Sequence, residues 1–246
     1  MTSPVAYQQI AGASVIPREE FIAERWSYEA GQHVTILGRN GSGKTQLGYE
    51  LLARTATPEV PAVVLVMKPR DSTATRWGRE LGYARTAHYP PPPNPLRRRP
   101  AGWNVWPRHT FDPDVDDPML RSVFRSAIID SYKRGNRILF ADEVVGLQQE
   151  LNLKRELETV WMRGRSMGCG LWALSQRAAN MSYHGYSAPE HMFLAYDPDH
   201  ETRKRYDEIG GLERGTVQGV TMGLARHRYH FMYIQRSTWT VCVVGP

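Results

Sequence analysis

The chain has 246 residues, 41% hydrophobic and 23% charged, which is enough to bury the core of one α/β domain and argues against a disordered or fibrous polymer. No apolar run approaches the ~20 residues of a membrane-spanning helix. Two cysteines, Cys169 and Cys242, are too few for a disulfide framework or a metal cluster, and their apolar neighbours suit buried thiols in a reducing compartment. Net charge is +6, with 26 arginines against the lysines at 44, 68, 133, 154 and 204. That balance fits a polyanionic partner and fits equally a GC-rich genome choosing arginine codons.

Residues 1–32 read as a lead-in with short apolar patches at Ser14–Pro17 and Phe21–Ile22, and its first six residues lack a signal-peptide pattern. Packing on a sheet edge and contact with a neighbouring subunit both suit it. Residues 33–246 then form one domain. Val34-Thr35-Ile36-Leu37 is a β-branched run for a buried strand, and Gln46–Ala53 places Leu47, Leu51 and Leu52 at helical spacing. Between them lies Gly38-Arg39-Asn40-Gly41-Ser42-Gly43-Lys44-Thr45, the G-x-x-x-x-G-K-T phosphate loop in its strand–loop–helix context. Glycines there let backbone N–H groups close on a triphosphate, and the following helix N-terminus adds partial positive charge. Lys44 is expected to reach the β- and γ-phosphates of ATP, Thr45 to ligate Mg²⁺, and Gln46 to complete the binding segment.

Ala62–Met67 is a second continuous apolar run, of the kind covered on both faces in a parallel sheet. Lys68-Pro69-Arg70-Asp71 ends it with charge at the edge where such sheets present their sites. Ser72–Gly82 reads as a short helix. From 86 to 113 the character changes to a Pro/Arg/Trp-rich insertion containing Pro90-Pro91-Pro92-Pro93-Asn94-Pro95, Arg97-Arg98-Arg99 and Trp103-Asn104-Val105-Trp106. Basic residues interleaved with tryptophans suit a groove gripping a nucleic-acid backbone, while a rigid loop with surface-packed tryptophans explains the same composition. Asp116 or Asp117 with Pro118 is expected to start a helix over Met119–Lys133 that Gly135 closes.

Arg137–Ala141 runs straight into Asp142-Glu143, the pattern of a Walker B strand. Asp142 is expected to hold Mg²⁺ and Glu143 to activate water, so that binding becomes hydrolysis. Leu147–Met162 reads as one helix, followed by the strand Gly170–Leu174 and the polar tip Ser175-Gln176-Arg177, where Gln176 suits a γ-phosphate sensor. His191–Tyr196 is a further strand and Asp199–Ile209 a charged helix with Gly210-Gly211 behind it. Arg226–Ile234 and Trp239–Val243 form a terminal hairpin whose histidines sit on a strand face.

The ABC-type signature is missing before Asp142, and the GTPase N-K-x-D motif is absent. The motif order resembles the FtsK/HerA superfamily of P-loop ATPases. The resemblance rests on Gly38–Thr45, Leu139–Glu143 and the segment Arg163–Arg177, with Phe193–Asp197 and Glu201–Arg203 similar to the family's next strand and turn. It implies an α/β, ASCE/RecA-like fold with a mainly parallel sheet, helices on both faces and a C-terminal hairpin. It also implies a pentameric or hexameric ring that moves double-stranded DNA, with an arginine finger at Arg163 or Arg165, or else Arg177. The short chain resembles viral genome-packaging ATPases in particular, with a capsid vertex or portal as partner and the host cytoplasm, virion or procapsid as location. Two other roles stay open: a phage assembly or secretion switch of the zonula-occludens-toxin kind, and a conjugative ATPase moving single strands.

Overall fold

A computed structural model describes residues 8–92, 99–206, 209, 212–213 and 215–246. Its elements in chain order begin with strands β1 (Gln9–Ile10) and β2 (Ala13–Pro17), the helical turn α1 (Arg18–Glu20), β3 (Val34–Leu37) and α2 (Lys44–Thr55). They continue with β4 (Ala62–Leu65), α3 (Ser72–Glu80), β5 (Ala84–Thr86), β6 (Gly102–Val105), α4 (Pro113–Arg134) and β7 (Arg137–Ala141). Helices α5 (Val144–Gln149) and α6 (Lys154–Arg163), strand β8 (Cys169–Ser175), α7 (His184–Ser187) and β9 (His191–Leu194) follow. The chain ends with α8 (His200–Tyr206), α9 (Thr216–Gly223), β10 (Phe231–Gln235) and β11 (Thr240–Gly245).

Among the described residues the strands make one sheet in the order β1-β2-β11-β10-β9-β3-β8-β7-β4-β6-β5. From β9 to β5 every neighbouring pair is parallel, and β10 pairs antiparallel with both β9 and β11, which is the expected C-terminal hairpin. Strand β2 joins parallel to β11, so residues 13–17 extend the sheet at its edge.

Alternation along each strand divides the core into two layers. Leu139, Leu171 and Ala173 face the side covered by α4, α5 and α6, where Phe124, Leu147 and Leu157 are fully buried. Phe140, Trp172 and Leu174 face the opposite layer, where Tyr49, Leu51 and Leu52 of α2 pack beside Phe21 and Trp26 from the lead-in. Helices therefore cover both faces, and the runs read as buried strands are buried on both sides.

Several boundaries differ from expectation. The helix read over Leu147–Met162 is two helices, because Asn152 takes a left-handed φ of 50° and the chain re-enters at Lys154. Buried Leu151 and Leu153 continue the apolar period across the break, so periodicity did not reveal it. Helix α4 starts earlier than Asp116: Asp112 is the N-cap, accepting from the Asp114 amide at 3.0 Å, and Pro113 takes the first position. Pro118 lies inside the helix, and Asp116 instead accepts from Thr110 N and Phe111 N at 2.8 and 3.0 Å, tying down the preceding loop.

Within 86–113, residues Gly102–Val105 are not insertion but a strand between β4 and β5. Trp106 is buried with its indole N–H on Lys68 O at 2.9 Å, and Trp103 packs edge-on against Tyr89. Trp106 thus belongs to the core, and half-buried Trp103 packs against it. Pro93–Pro95, Arg97 and Arg98 of the same segment, and Gly210-Gly211 behind the charged helix, lie outside the described residues. The hairpin's first strand begins at Phe231 because Tyr229 adopts φ 65°, so His227 and His230 sit in a turn rather than on a strand face.

Candidate active site

Strand β8 lies between β3 and β7, so the three loops leaving their carboxyl ends meet at one edge of the sheet, where open α/β sheets bind ligands. The phosphate loop follows β3 and is locked to β8 by Gly38 N–H donating to Ser175 O at 3.1 Å. Gly41 and Gly43 take φ of 76° and 89°, conformations that side chains with a Cβ avoid. Arg39 and Asn40 are exposed at the loop tip, and Ser42 N donates back to Arg39 O at 3.1 Å. The Ser42 hydroxyl is buried without a protein partner, an orphan donor aimed within the loop.

Thr45, at the start of α2, donates its hydroxyl to Asp142 Oδ1 at 2.6 Å, joining the phosphate loop to the end of β7. A hard divalent cation takes oxygen ligands of this kind, so the pair fits Mg²⁺. Lys68 Nζ lies 3.3 Å from Asp142 Oδ2 and 3.7 Å from Asp71. Burial lowers the Lys68 ammonium pKa, but the two carboxylates outweigh that and hold it above the ordinary value. Lys44 is buried and its pKa is pushed down by that burial, opposed by the charges of Asp142 and Glu143.

Glu143 sits at the N-terminus of α5. Burial raises its carboxyl pKa above the usual range, Lys44 opposes the rise, and Asp142 reinforces it. The Ser175 hydroxyl donates to Glu143 Oε1 at 3.4 Å, and the Gln176 side chain reaches the same carboxylate. A cleft of about 260 Å³ opens beside these groups, walled by Thr45, Tyr49, Lys68, Asp71, Asp142 and Glu143.

Lys44, Thr45, Asp142, Glu143 and Gln176 therefore converge. The Gln46 side chain donates to Glu50 at 2.7 Å and accepts from Arg76 and Trp77, bracing α2 against α3. Arg163 and Arg165 are exposed at the opposite edge of the sheet, just before β8 begins, while Ser175 at the far end of that strand touches Glu143. At about 3.3 Å per residue, β8 separates them from the site by about 20 Å. Arg177 stays at the site edge and acts electrostatically on Asp197 and Asp199. Reading the sequence alone missed the turn at Arg228–Tyr229, whose atoms meet the phosphate loop and which carries no local signal of that approach.

No protein-family profile and no curated protein matches the chain. Solved structures do. The DNA-packaging ATPase B204 from Sulfolobus Turreted Icosahedral Virus superposes with a TM-score of 0.60 at 14% identity, covering 89% of this chain and 99% of that one. The genome packaging NTPase B204 from Sulfolobus turreted icosahedral virus 2, in complex with ATP-gammaS, gives 0.61 at 14% identity over 89% and 99%. VirB4 of Thermoanaerobacter pseudethanolicus gives 0.62 at 10% identity over 87% and 88%. The chain shares the fold of these proteins, in agreement with the resemblance drawn from its motifs.

Proposed function

We propose that the chain is an ATPase that moves double-stranded DNA as a ring, in the manner of a viral genome-packaging motor. One observation carries the hydrolytic part: the Thr45–Asp142 hydrogen bond joins the end of the phosphate loop to the acidic pair, and Thr45, Asp142 and Glu143 line one cleft. ATP would lie along Gly38–Thr45, with Lys44 on its outer phosphates. Thr45 and Asp142 would hold Mg²⁺, which neutralises phosphate charge when bound. Glu143 orients and deprotonates the attacking water, and Gln176, beside it, reports on the γ-phosphate.

Arg163 and Arg165, at the opposite edge, suit a finger only toward a neighbouring subunit's nucleotide. The shared fold with packaging NTPases supports the DNA-motor reading, and the net charge of +6 suits phosphate contacts without base readout. The test is the ATPase rate with and without duplex and single-stranded DNA, on protein whose oligomeric size has been measured. Stimulation of a pentamer or hexamer by duplex supports the motor. Stimulation by single strands alone favours a transfer ATPase, and a monomer indifferent to DNA rules the motor out.

A further inference from the structure

The turn His227–His230, just before β10, lies against the phosphate loop. A Cβ placed on Gly43 would fall 3.0 Å from Tyr229 Cδ1, and one on Gly41 would fall 3.9 Å from Arg228 Nη2. Tyr229 adopts φ 65°, a costly conformation for a bulky aromatic residue, yet 40% of it remains exposed. Strain of this kind persists only where surrounding contacts enforce it, and it collects at ligand sites. Here the enforcement comes from Arg18, which donates to Tyr229 O at 2.5 Å and pairs with Glu50 of α2 at 3.4 Å. The turn is thereby tied to the same helix that begins at Lys44. The Arg228 guanidinium lies over the Tyr229 ring, 4.6 Å from its centroid.

An aromatic ring held beside a phosphate loop, half-open to solvent and capped by a cation, is suited to stacking on a base rather than to packing a core. We propose that the Arg228–Tyr229 turn is the base-side wall of the nucleotide site: Tyr229 stacks on the purine of a nucleoside triphosphate with one face of its ring, while Arg228 covers the other face. The proposal rests on the phosphate-loop reading of Gly38–Thr45.

The test compares binding of Mg·ATP and of Mg·tripolyphosphate, which has the phosphates and no base, by titration calorimetry. Tyr229→Ala should weaken ATP by about tenfold, while Tyr229→Phe, which keeps the ring, should stay near wild type. Tripolyphosphate affinity should be the same in all three proteins, which also shows that the variants are folded. Unchanged ATP affinity in Tyr229→Ala, or equal loss of both ligands, overturns the assignment. A Lys44→Ala protein that binds tripolyphosphate as tightly as wild type overturns the phosphate-loop reading instead.

Discussion

Thr45 and Asp142 are 97 positions apart in the chain and share one short hydrogen bond. Residue type and flanking sequence point each toward metal binding. Their meeting depends on β3, β8 and β7 lying side by side. Glu143 has the features of the proposed general base at this scale: it is half-buried, it adjoins Lys44, and Ser175 and Gln176 hold its carboxylate. Glu143→Gln keeps size and hydrogen-bonding capacity but cannot take a proton. We expect nucleotide affinity close to wild type and a turnover rate lower by about 10²–10⁴-fold, the contribution of a positioned general base. Steady-state hydrolysis alongside equilibrium binding measures both, and turnover at the wild-type rate would remove Glu143 from the catalytic role.

Elements show how local signals succeed and where packing takes over. Gly135 was legible as the close of α4, and the structure adds why no other residue serves. It has φ 67° with an extended ψ, and a Cβ there would lie 2.1 Å from the Met167 carbonyl oxygen. Gly135→Ala should therefore cost more than an ordinary left-handed alanine, about 3 kcal/mol or above, read as a shift in urea midpoint. A change under about 1 kcal/mol would mean that the turn before Gly168 yields easily. By contrast, the split between α5 and α6 left no mark in the apolar period, because Leu151 and Leu153 are buried in the break itself. Strand β6 is hidden among prolines and arginines, since its Trp103 and the adjoining Trp106 suit a nucleic-acid groove as well as a core.

Across the molecule, two histidines are buried in neutral form, His33 directly before β3 and His191 on the neighbouring strand β9. His33 accepts the Leu171 N–H at Nδ1 (2.9 Å), and His191 lies between Tyr233 and Gln32 at 2.9 and 3.0 Å. Burial lowers both pKa values from 6.5 to about 4. Folded values below the unfolded one mean that the unfolded chain takes up protons first as pH falls. Their contribution to stability is thus complete above about pH 6.5 and is lost progressively down to about pH 4. Urea midpoints at pH 7.5, 5.5 and 4.5 should fall in that order, and a double His33→Gln, His191→Gln variant should show a flatter profile. An unchanged slope in the variant would assign the acid sensitivity to other groups.

The sequence by itself determined the phosphate loop, the acidic pair, the buried parallel strands and the closing hairpin. Each is written in consecutive residues whose chemistry is local: glycine for positive φ, β-branched runs for strands covered on both faces, carboxylates at a strand end. Only the tertiary structure decided that β8 separates β3 from β7, that Gln46 braces α3, and that Arg163 and Arg165 face away from their own cleft. It alone brought Tyr229 against Gly43. Those juxtapositions come from strand order and side-chain packing between distant segments, which no short stretch of residues encodes.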